Sequence, residues 1–84
     1  MITISAHPRD VDFWDQITTL WLPVVEDDTL NQRVELGLVG SDRDALFMAN
    51  NFRRIVELRG WTVAKDMERR ANAPSPVSHY REAI

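Results

Sequence analysis

The side chains able to do chemistry are few in this chain, and they lie far apart. Its two histidines, His7 and His79, stand at opposite ends of the 84 residues. Ser41 follows a glycine but lacks the G-x-S-x-G frame that raises a nucleophilic serine out of a strand–helix turn. A Ser–His–acid arrangement would need the C-terminal tail to fold back over residue 41. Cysteine is absent, which removes disulfides, thiolate metal sites and a thiol nucleophile together. Asp10, Asp12 and Asp15 form D-x-D-x-x-D, and Glu26-Asp27-Asp28 is a second acidic cluster. A calcium loop needs alternating acids, a central Gly and a terminal Glu, which neither run supplies. Both clusters read as caps and solvated turns. Gly40-Ser41 would offer an anion the N–H groups of a helix start, but Asp42 and Asp44 already fill that field. The expectation is a non-enzyme with no catalytic residue, cofactor or metal.

Charge is distributed unevenly. Residues 1–30 carry Arg9 against Asp10, Asp12, Asp15, Glu26, Asp27 and Asp28, a net of −5, whereas residues 31–70 carry eight basic groups against six acids. Nine of the ten basic residues are Arg, suited to bidentate contact with carboxylate or phosphate. Arg43, Arg53 and Arg54, with Arg69 and Arg70 further on, are the alternative nucleic-acid contacts. Against that reading, the sequence pI is near 5.2. The best strand also offers Arg33, Glu35 and Gly37 on its open face, with no aromatic platform for bases. Direct nucleic-acid binding is therefore not expected at physiological salt. Six acids in the first third permit a nucleic-acid mimic, though mimics usually carry more net charge.

The elements that must hold these residues are set by periodicity. Ile2-Thr3-Ile4 is a first strand ending near His7-Pro8. Asp10 caps a short helix over about 10–16, followed by a strand over about 18–25 in which Pro23 marks an edge or an end. Residues 26–31 are a polar connection. Residues 33–39 alternate Val34, Leu36 and Leu38 against Arg33, Glu35 and Gly37, the clearest strand in the chain. Ser41 caps a helix over 42–59 whose Ala45, Met48, Ala49, Phe52, Ile55 and Val56 form one apolar stripe. Gly60 ends it, and Trp61 begins a last strand reaching Met67. The expected fold is a small α+β domain, with the long helix on one face of a three- or four-stranded antiparallel sheet. A ferredoxin-like βαββαβ order with a very short first helix also fits. Residues 1–71 form the domain. Residues 72–84 are a Pro/Ser linker and tail, either loose or docked as a short helix through Val77, Tyr80 and Ile84.

Apolar surface in excess of what so small a core needs points to protein binding. Phe47, Asn51, Arg54 and Leu58 recur at three- and four-residue spacing on the side of the helix away from its apolar stripe. An Arg between two apolar anchors is a common hot-spot composition. Three Trp in 84 residues exceed a small core's need, and Trp14, together with the acidic turn at Asp27 and Asp28, completes the candidate contact set. The competing reading has the tail covering the Phe47–Leu58 ridge. The expectation is a soluble, cytoplasmic, non-catalytic protein-binding module without a membrane span, whose partner is a larger host complex or a second copy. In its size and lack of motifs the chain resembles, at class level only, the small inhibitors of phages and mobile elements, anti-CRISPR-like anti-defence proteins among them.

Overall fold

A hairpin of two twelve-residue strands organises the molecule. In the computed structural model, which describes residues 1–72, strands β1 (Ile2–Phe13) and β2 (Gln16–Asp27) pair antiparallel along their whole length, from Ile2 opposite Asp27 to Phe13 opposite Gln16. Trp14 and Asp15 are left as a two-residue turn, with φ of 52° and 69°. Positive φ at both positions marks the I′ geometry, whose twist matches that of paired strands. No helix forms over 10–16, and β1 does not end at Pro8. The β-branched and aromatic side chains of this stretch, Val11, Phe13, Ile17 and Thr18 among them, satisfy a paired strand better than a helix.

Strand β3 (Gln32–Glu35) lies on the other side of β2, making the sheet order β1-β2-β3. Alternation assigns the faces. Ile2, Ile4, Val25, Val34 and Leu36 point to one side, which the helices cover. Val24 is fully buried on the other side, where Arg33 bridges Glu26 and Glu35 beside it.

The strand expected over 33–39 breaks after Glu35, and Pro23 supplies the reason. The Leu36 N–H donates to the Pro23 carbonyl at 2.9 Å, but proline has no N–H with which to return the bond. Pairing resumes at Trp21 and Val39, which exchange bonds of 2.8 and 2.9 Å. Val24 faces Glu35 while Trp21 faces Val39, so the outer chain holds one residue more than β2 over this stretch. A one-residue bulge of this kind reverses the facing of the residues beyond it. Leu38, expected beside Val34 and Leu36, is exposed as a result. Pro23 thus sits within the central strand rather than on an edge, tolerated where the ladder is already interrupted.

Helix α1 (Asp42–Arg59) starts and stops as its sequence demands. The Ser41 hydroxyl accepts from the Asp44 N–H at 3.1 Å, and Asp42 and Asp44 face the positive helix end. Ala45, Ala49, Phe52 and Val56 are buried against β1 and β2, with Met48 and Ile55 half-buried at the margin. Gly60 then has φ 89° and ψ 166°, a region that essentially only glycine occupies. Its N–H donates to the Val56 carbonyl and its own carbonyl accepts from Ala64, so it closes one helix and opens the next.

That next element is helix α2 (Trp61–Asn72), not the expected strand. Trp61-Thr-Val-Ala reads as β-forming in isolation. From Ala64 onward the residues are good helix formers, and a helix alone brings Trp61 and Ala64 onto one buried face. The Trp61 ring meets Phe52 at 6.0 Å between centroids, tilted by 56°. Lys65 donates to the Gln32 side chain and ties α2 to β3. The order is βββαα, a small α+β fold in which the ferredoxin-like βαββαβ order is not realised among the described residues. The tail residues Val77, Tyr80 and Ile84, and His79, lie outside the described residues.

Candidate functional site

Two exposed apolar patches stand apart from the core. The first is the end of the hairpin. Core packing is confined to the half of the sheet nearest residues 2–6 and 23–27, and from His7 to Thr19 only Val11 is even partly buried. Twelve residues of strand span about 40 Å, so the far half projects as an arm. Trp14 at its apex is 95% exposed and Ile17 76%, with Phe13 half-exposed beside them. Asp12 pairs across the strands with Ile17, and Asp15 completes the turn. Asp10 accepts from the Thr19 hydroxyl at 2.9 Å, whereas Asp12 and Asp15 have no ionic partner among the described residues.

The second patch is the outer ridge of α1, where Phe47 is 66% and Leu58 81% exposed, with Asn51 and Arg54 exposed between them. Asn51, Arg54, Ile55 and Leu58 line an open cleft of about 300 Å³. Arg43 lies one turn before Phe47 on the same stripe. Neither Arg43 nor Arg54 makes an ion pair among the described residues.

The remaining candidates separate cleanly. Asp27 is not a free contact residue. It is buried, and its carboxylate accepts the Thr29 N–H at 3.0 Å and the Leu30 N–H at 3.4 Å, with the Met1 amine 3.4 Å away. Sequence reasoning placed it in an interface because an acid before a turn looks solvated. Its position two residues before a threonine in a tight connection is the signal for a turn cap. Asp28 is exposed in that turn. Phe13 and Ile17 were not among the expected contacts, because the arm that presents them reads as a helix followed by a separate strand.

The arginines proposed for nucleic acid differ in their surroundings. Arg53 is half-buried, hydrogen-bonded to Asn50 and 3.8 Å from Glu57, and Arg70 pairs with Asp66 at 3.1 Å. Arg43, Arg54 and Arg69 are exposed. For catalysis the nearest constellation is Ser5 Oγ and His7 Nε2, 3.0 Å apart on β1. The imidazole has no carboxylate behind it among the described residues, and the pair lies on an open strand surface. No group of three or more His, Cys, Asp or Glu is placed to hold a metal among the described residues. Among them, too, no helix is long and apolar enough to cross a membrane.

Comparison with family models, curated proteins and solved structures finds no match to this chain.

Proposed function

We infer that this chain is a non-catalytic protein-binding module whose contact surface combines the hairpin tip with the α1 ridge. One observation carries the reading. Among the described residues nine hydrophobic side chains are buried, three of them alanines, whereas eleven large ones are exposed. A domain this small folds on a narrow margin, and the five large apolar groups exposed at the two patches, Phe13, Trp14, Ile17, Phe47 and Leu58, add little to that margin. Exposed apolar surface of this kind marks sites of association. Trp and Arg are also the residues that dominate binding energy. At a finer level the module acts as an inhibitor, occupying a surface of a larger protein, as small phage and mobile-element proteins do.

The test is affinity capture from the native host, read by mass spectrometry, with Phe47→Asp/Leu58→Asp and Trp14→Ser run beside the parent chain. The reading expects proteins retained by the parent and lost from both folded variants. Identical retention by all three contradicts it.

A further inference from the structure

We propose that the hairpin tip of one copy docks on the α1 ridge of a second copy, and that two such contacts close a two-fold dimer. This rests on the protein-binding reading and names one partner for the same surface. The two patches are complementary in sign. Asp12 and Asp15 at the tip, and Arg43 and Arg54 on the ridge, have no ionic partner among the described residues. The pairing of acid with Arg is the one that both orients and selects a partner.

They are complementary in shape as well. Trp14 is a projecting indole with almost no contact in its own chain, and the ridge carries a cleft of about 300 Å³ between Arg54 and Leu58. The cleft is open and its lining mostly apolar, so an indole can lie against it beside the Arg54 side chain that lines it. The tip makes no packing contact with the core under its own α1: the hairpin residues packed there, Ile2, Ile4 and Val25, belong to its other end, and Trp14 is 95% exposed.

Area decides the number of contacts. One tip presenting Trp14, Ile17 and half of Phe13 buries on the order of 400 Å², and the ridge a similar amount. That total is the size of a lattice contact, about half of a standard interface. Two contacts about a two-fold axis reach the roughly 1,600 Å² that stable association needs. They also close the assembly, which single tip-on-ridge contacts would leave open-ended.

Sedimentation equilibrium over a concentration series tests this on the full chain and on three variants whose melting temperatures match the parent's in dilute solution, where the parent is monomeric. The parent should fit a monomer–dimer equilibrium, and Trp14→Ser should raise the dissociation constant at least tenfold. Asp12→Arg and Arg54→Asp should each do the same alone. An equimolar mixture of those two chains should associate more tightly than either, because each reversed charge then meets its opposite. Tip-to-tip pairing would leave Arg54→Asp unaffected, and ridge-to-ridge pairing would leave Asp12→Arg unaffected; either pattern overturns the proposal. A monomeric parent, or chains longer than the dimer, overturns it too. A monomer that still loses its captured host proteins on Phe47→Asp/Leu58→Asp would sink self-docking alone and leave the protein-binding reading standing.

Discussion

A tryptophan at φ 52° is the least economical residue in the molecule. Left-handed backbone costs an L-residue roughly 1–2 kcal/mol, and the turn type at Trp14-Asp15 favours Asn-Gly. Nothing in the fold repays that cost, since the indole is in water. Replacing the pair by Asn-Gly should therefore stabilise the chain by about 1–2 kcal/mol, seen as a higher melting temperature in dilute solution where the parent is monomeric, while removing the tip's anchor. An unchanged or lower melting temperature would show that the indole supports the fold. Asp27 is the opposite case, a charged residue spent on structure. Asp27→Ala strands two turn N–H groups and should lose about 1–3 kcal/mol in chemical denaturation, with Asp27→Asn losing less because its amide oxygen still accepts. Equal losses for the two substitutions would deny the capping role.

At the scale of elements, α1 was fully legible because three independent signals agree. Ser41 caps it, the stripe from Ala45 to Val56 repeats at helical spacing, and Gly60 stops it. Phe52→Ala should cost about 3–5 kcal/mol, enough to unfold most of the population. A fully folded variant with little change in melting temperature would remove α1 from the core. Gly60→Ala should cost about 1–3 kcal/mol through φ alone, since a Cβ there meets no atom within 4 Å. A neutral result by denaturant titration would mean that the junction relaxes freely.

The other elements were less legible for local reasons. The turn at Trp14-Asp15 lacks the Gly or Asn that announces a hairpin, so twelve paired residues on each side read as a strand, a helix and another strand. Trp61-Thr-Val-Ala carries β-forming residues into a helix because burial of Trp61 and Ala64 outweighs propensity. The bulge opposite Pro23 depends on which strand lies beside it, which no local pattern states. The site divides in the same way. The ridge is the far side of a legible helix and could be read off it, whereas Phe13 and Ile17 became visible only with the hairpin.

The described residues form a small body and a long arm, acidic at the tip, with Arg43 and Arg54 on the ridge outside any ion pair among them. Among the described residues Arg33, Arg53 and Arg70 are held in ion pairs, and the sequence pI is near 5.2, so single- and double-stranded probes should show no sub-micromolar gel shift at physiological salt. Tight binding that weakens steeply with salt and disappears in Arg43→Glu/Arg54→Glu/Arg69→Glu would promote the nucleic-acid reading. The central claim is that large apolar side chains are held outside the core for a partner, and the melting temperature of Phe47→Asp/Leu58→Asp, taken in dilute solution where the parent is monomeric, tests it most directly. Exposed substitutions cost within about 0.5 kcal/mol each, so the pair together costs at most about 1 kcal/mol, or about 4–8 °C in a domain of this size. The account predicts a shift of no more than about 8 °C, with both charges carried in water. A fall comparable to that of Phe52→Ala would contradict it, because the ridge would then be part of what holds the chain together.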